Sequence, residues 1–213
     1  MSDRLLNHAI KMQKQIKTTA YARFFSARRY EKLNNSSLFS LTSFSLLLIF
    51  TTLLQKYSIS ACDSSQPFYP PNILELGQLI SSIIIAILSI TVSFCNYAAK
   101  AEKMRQSAES INNLSSTIHD AIAYEEIDKT LIKSIRSTYN DIKQNSMNHI
   151  HYEYVYGRAE RKLEDGDISK RSSEIDFCSL FKYYMPFTAF YLISVTSIII
   201  FFCSSVIFLN KLM

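Results

Sequence analysis

The 213-residue sequence has no tryptophan, only three glycines and only four prolines. Glycine this scarce leaves no room for a glycine-rich loop that would cradle a phosphate. With Pro67, Pro70 and Pro71 gathered in one short stretch, Pro186 is the one proline left elsewhere, and the chain suits long helices. The four cysteines, Cys62, Cys95, Cys178 and Cys203, show no metal-ligand spacing. No nucleophile elbow, zinc signature or kinase signature is present.

The most informative absence is of charge. The run Leu76–Tyr97, LGQLISSIIIAILSITVSFCNY, is twenty-two residues without an ionisable acid or base. As a helix it would be about 33 Å long, against a bilayer core of about 30 Å. Leu38–Leu54 and Tyr183–Leu209 are likewise uncharged. The sequence therefore predicts an all-α membrane protein with spans at 38–56, 76–97 and 184–209. The serines and threonines inside the spans can return hydrogen bonds to the helix backbone.

The net charge of +5 invites a nucleic-acid reading, but its distribution points elsewhere. Eight Lys or Arg precede the first span and thirteen lie between the second and third. Only Lys56 separates spans one and two, and only Lys211 follows the third. By the positive-inside rule the N terminus and residues 98–182 are inside, and residues 57–75 and the tail are outside. No base-reading element is apparent, so direct sequence-specific nucleic-acid binding is not expected.

Residues 1–36 carry Leu5, Leu6, Ile10, Ile16, Ala20, Phe24, Ala27 and Leu33 near helical spacing. They form an amphipathic helix, lying on the anionic inner leaflet or packing against other cytosolic helices. Asn34, Asn35, Ser36 and Ser37 mark a break or cap before the first span. The outer loop 57–75, with its prolines and Cys62, joins two spans into an antiparallel hairpin. Cys62 is read as an inert thiol, with a bridge between subunits as the alternative.

Span two runs into residues 98–160 without glycine or proline, so its helix is expected to continue. There Ile111, Leu114 and Ile118, then Leu131, Ile135 and Ile142, form one-sided apolar stripes. They suit a long helical bundle or coiled coil, within one chain or between subunits, and are the candidate oligomer seam. A bend is expected near Glu125 and Glu126. Residues 161–182 read as a linker, and Pro186 falls near the first turn of span three.

The paired acids and the histidines do not assemble a site. Glu153 and Glu160, like Glu164 and Asp165, suit a solvated face. His149 and His151 stand two apart and do not share a helix face. Residues 144–152 read better as a helix terminus, with Asn148 or His149 satisfying backbone groups. Nothing supplies a base, a nucleophile and an orienting group together. No catalytic residue, metal ligand or cofactor is expected.

Three stretches carry a resemblance. They are ARRYEKL at Ala27–Leu33, AEKMRQSAESINNLSS at Ala101–Ser116, and IRSTYNDIKQNSMNHIHYEY at Ile135–Tyr154, with Tyr139, Asn148, His149 and Tyr152. In that order around a membrane hairpin, the chain over residues 5–205 resembles the SLATT group of bacterial two-transmembrane effectors. It looks most similar to the branch encoded beside reverse transcriptases. The resemblance implies an oligomeric effector in the bacterial inner membrane that damages or depolarises it. A separate partner, such as a reverse transcriptase or a nucleotide-signalling protein, would sense the invader. No catalytic residues are implied.

Two other readings stay open: a membrane-anchored scaffold, and an accessory subunit of a transport complex. Internal repeats and a polar midplane site, usual in transporters, are not seen. Span two places Ser82, Ser89, Ser93 and Asn96 at spacings of seven, four and three, on roughly one helix face. These are the candidate pore-facing residues.

Overall fold

The computed structural model describes residues 3–61, 71–164, 166 and 177–212, and these hold six α-helices and no strand. They are α1 (Asp3–Ala61), α2 (Pro71–Cys95), α3 (Tyr97–Ala123), α4 (Lys129–Asn145), α5 (His151–Glu164) and α6 (Phe177–Leu212). The chain divides into two compact units. A polar unit comprises Met1–Glu31 and Tyr97–Lys182; an apolar unit comprises Lys32–Asn96 and Tyr183–Met213. The division falls inside α1. The outer-loop residues around Cys62 and most of the linker after Glu164 lie outside the described residues.

In the polar unit, the first part of α1 is the central helix. Ala9, Ile16 and Ala20 pack into one buried cluster with Ile111 and Ile118 of α3 and Ile135 and Tyr139 of α4. Of the two placements open for this amphipathic helix, packing against the other polar-unit helices is the one observed. Alanines at two of these positions, Ala9 and Ala20, let neighbouring backbones approach closely. The six stripe residues are accordingly occupied within the chain. Ile111, Ile118 and Ile135 are buried, and Leu114, Leu131 and Ile142 pack partly buried against the same cluster. Within the chain, the stripe thus packs against the first part of α1. Ile118→Ala is expected to cost about 2 kcal/mol. Because the contact is intrachain, thermal midpoints at low and high protein concentration should fall by the same amount.

The expected bend is a helix end. At the C-terminus of α3, Glu126 N–H donates to the Ala121 carbonyl at 3.0 Å and Glu125 N–H to Ile122 at 3.3 Å. This is a Schellman closure with Glu125 in the left-handed region at φ 57°. Asp128 then caps α4, accepting from Lys129 N–H at 2.6 Å and from the Thr130 hydroxyl. The Thr130 bond and the backbone donor hold the Asp128 carboxyl below its ordinary range.

Three expectations about helix boundaries are corrected. α1 does not break at Asn34–Ser37. Ser37 donates to the Asn34 carbonyl at 2.8 Å and spends its hydroxyl inside the helix instead of capping one. The helix after span two does not run on: Asn96, at φ 45°, separates α2 from α3. Asparagine is among the few non-glycine residues that enter that region readily. Pro186 lies well inside α6, which begins at Phe177, so its missing N–H removes a hydrogen bond from the helix interior.

In the apolar unit, the second part of α1 pairs with α6. Ser40 donates to the Phe190 carbonyl at 2.7 Å and lies 3.0 Å from the Ser194 hydroxyl. Ser36, Ser37, Leu47, Phe187 and Ser197 are buried with them. The helices run parallel, because Lys32 and Asn35 share one groove end with Tyr183 and Tyr184 while Ser40 meets Ser194 further along. Among the described residues, three helices are long and apolar enough to cross a membrane. With the polar bundle they are consistent with a hairpin, an intervening bundle and a third span.

Candidate functional site

Among the described residues, polar side chains line a clamp on α1, a serine seam and an exposed face of α2.

The clamp is built from α1 and α5, which pack antiparallel. Gly157 of α5 is what lets them meet. A Cβ at Gly157 would come within 2.8 Å of Tyr21 C and closer still to the Ala22 backbone. One helical turn away, Glu153 is fully buried. Its carboxylate accepts from Arg29 Nη1 at 2.8 Å, from the Ser26 hydroxyl at 2.7 Å and from Ile150 N–H at 2.8 Å. The last bond is a capping-box return from the third helical position to the cap of α5. Tyr152 receives the Arg29 guanidinium over its ring at 5.2 Å, and Phe25 stacks on Tyr156 at 4.7 Å. Toward solvent, Arg28 pairs with Glu160, and Tyr21 and Lys17 reach Glu164. Such exposed pairs contribute little compared with the buried one.

Glu153 therefore departs from the solvated face expected of it. The signal that could have found it is its place as the third residue of a helix whose first turn is otherwise aromatic. The motif stretches are also brought together here. Arg29 comes from ARRYEKL, and Tyr152 and Glu153 from HIHYEY. Ser107 of the middle stretch accepts from Arg23 Nη1. Arg23 is fully buried, and its Nε and Nη2 have no hydrogen-bond partner. Burial lowers its pKa, opposed by the nearby Tyr139 hydroxyl. His149 lies on the α4–α5 connection, stacked on Tyr154, and its pKa is pulled below the ordinary imidazole value. Burial is the main cause, and the Arg23 charge adds to it. The Arg23 charge and the burial thus both disfavour a charged ring. Among the described residues no group of three His, Cys, Asp or Glu could hold a metal ion.

In the apolar unit the serine seam was missed as a feature of spans one and three. Its signal is the small-residue spacing Ser36, Ser37, Ser40 against Ser194, Ser197, the pattern that lets membrane helices pack closely. Beside it runs a groove of about 1040 Å³, with Lys32 and Asn35 toward one end and Phe39, Leu192 and Val195 along its wall.

Span two contrasts with both. None of its most apolar window is buried in the chain. Ser82, Ser89, Ser93 and Asn96 are all exposed, and Ser82 turns its hydroxyl back to the Leu79 carbonyl at 2.8 Å. Leu79, Ile83, Ile87, Ile90 and Phe94 are exposed as well. Span two thus presents its serine face and one aliphatic face outward, while Ile84, Ile85, Leu88 and Val92 on the remaining side are half-buried.

A family model described as SMODS and SLOG-associating 2TM effector domain family 5 matches residues 6–203. The chain belongs to this family. The match takes in all three apolar helices, including the α6 span Tyr183–Ile200, although the family is described by two transmembrane segments. Members of the family are membrane-acting effectors of conflict systems, associated with SMODS and SLOG nucleotide-signalling partners. No curated protein and no solved structure matches the chain.

Proposed function

We propose that the protein is a pore-forming effector of a bacterial conflict or antiphage system, assembled as a homo-oligomer in the inner membrane with its N terminus in the cytoplasm. The observation that carries the reading is the exposed serine face of the second span. Spans one and three satisfy each other through Ser40 and Ser194, whereas span two, half-covered along Ile84, Ile85, Leu88 and Val92, leaves its serine face and a second aliphatic face exposed among the described residues. A helix with one serine face and one aliphatic face suits a ring of copies. Neighbouring α2 helices would meet or face lipid through their aliphatic residues, and Ser82, Ser89, Ser93 and Asn96 would turn toward water.

In this reading assembly runs through α2, while the apolar stripe of α3 and α4 packs within the chain. The activating signal would come from a separate sensor. The likeness to the reverse-transcriptase-associated branch favours a reverse transcriptase, and the family's description favours a nucleotide-signalling protein. No catalytic step belongs to this mechanism.

Expression in cells should collapse the membrane potential before protein synthesis falls. The triple variant Ser82→Leu, Ser89→Leu, Ser93→Leu should insert normally and leave the potential intact. A potential-sensitive dye followed alongside amino-acid incorporation checks both. Depolarisation that only follows loss of synthesis would place the damage elsewhere. An intact potential at full expression together with its sensor would favour a scaffold.

A further inference from the structure

Away from the clamp, α1 and α4 enclose a cleft of about 260 Å³ in the polar unit. His8 and Lys11 line it from α1, and Arg136 and Lys143 from α4, with the amides of Gln15 and Asn140 between them. On each helix these positions recur at steps of three and four, so each helix offers one continuous polar stripe. Among the described residues lining the cleft there is no Asp or Glu. Three permanent cations and a histidine thus converge without a counter-charge.

The floor is rigid. Ile16 and Tyr139 belong to the buried cluster, and the Tyr139 hydroxyl is held 2.9 Å from Thr19 Oγ1. Helices locked from below cannot splay to relieve repulsion between the cations above. His8, Lys11, Arg136 and Lys143 are all exposed, so an anion arriving from solvent can reach the four together.

We propose that this cleft binds a compact phosphate-bearing anion, which bridges α1 to α4. The volume is at the small end of ligand sites and leaves no room for a polypeptide segment. The guanidinium of Arg136 offers paired donors to phosphate oxygens, and the lysines act as point charges around it. A polyphosphate is matched in charge to the cleft, whereas a single carboxylate would leave most of the charge unmet. The proposal is independent of the pore reading, since the cleft lies wholly in the polar unit.

The experiment uses the full-length protein in nanodiscs of neutral phosphatidylcholine or of anionic phosphatidylglycerol, with tripolyphosphate as soluble probe and sodium chloride at matched ionic strength as control. In neutral discs, tripolyphosphate at about ten times its dissociation constant should raise the thermal midpoint by about 3 °C, and chloride should not. Arg136→Gln with Lys143→Gln should weaken binding in titration calorimetry at least tenfold. That variant should by itself melt no lower than wild type, because it removes like charges; a merely structural role for these side chains predicts the opposite sign. A gain in neutral discs identifies a soluble ligand. A gain only in anionic discs, lost in the variant, identifies a lipid headgroup, and both support a phosphate site. If the double variant does not fold, His8→Gln with Lys11→Gln serves in its place. No gain in either disc, or the same gain in wild type and variant, overturns the proposal.

Discussion

Glu153→Ala is expected to cost about 4 kcal/mol and to release α5 from α1. The carboxylate has no contact with water and holds three donors at once: Arg29, the Ser26 hydroxyl and the Ile150 N–H. Removing it leaves the Arg29 guanidinium, itself only 12% exposed, without its counter-charge in a site that water does not reach. It also deprives the α5 cap of its acceptor. Glu153→Gln keeps the shape and the acceptor for Ile150 but not the charge, so it should fall between wild type and Glu153→Ala. Thermal melting of the detergent-solubilised protein and limited proteolysis after residue 145 check the order. If Glu153→Ala melts within a degree of wild type, the carboxylate is not the buried partner of Arg29.

Gly157→Ala is expected to cost about 3 kcal/mol, an unusually large penalty for one methyl group in a helix. In an exposed helix the same change would be stabilising, by up to about 1 kcal/mol, because alanine is the better helix former. The sign is reversed by position. The added Cβ would meet backbone atoms of Tyr21 and Ala22, which no side-chain rotation can move aside. The two helices must separate, and the Phe25–Tyr156 stack and the Glu153 bonds loosen with them. Gly157→Ser should behave like alanine or worse. Hydrogen exchange on the α5 amides checks it: protection should drop along α5 while the α3 and α4 cluster around Ile111 and Ile135 keeps its protection. A stabilised Gly157→Ala protein would contradict the close approach of α1 and α5.

What the sequence made legible follows from the range of the forces involved. Three uncharged runs of membrane length are local, and so are the stripes at Ile111–Ile118 and Leu131–Ile142; each can be read from consecutive residues. The partner of each stripe is not local. Periodicity shows that Ile118 needs cover but not that Ile16 and Ala20 provide it. Glu153 and Arg29 are 124 positions apart, and each alone looks like a surface charge. The Asn34–Ser37 stretch illustrates the opposite error. Its residues are good caps, but continuous helix lets Ser36, Ser37 and Ser40 reach the buried seam in the apolar unit, and tertiary packing overrides the capping preference. At Asn96 the sequence lacks the usual breakers, yet asparagine's tolerance of positive φ suffices to end α2. That Ser82, Ser89, Ser93 and Asn96 share one helix face is readable from spacing. Its exposure is not, because exposure depends on spans one and three taking each other as partners.

The central claim is that span two forms the wall of a membrane pore. It is tested most directly by ion flux from liposomes holding purified full-length protein, with wild type and the Ser82→Leu, Ser89→Leu, Ser93→Leu variant reconstituted to equal density and the sensor signal supplied. The account predicts that wild-type vesicles discharge their ion gradient and variant vesicles retain it. Equal discharge from both, or none from either, would contradict it.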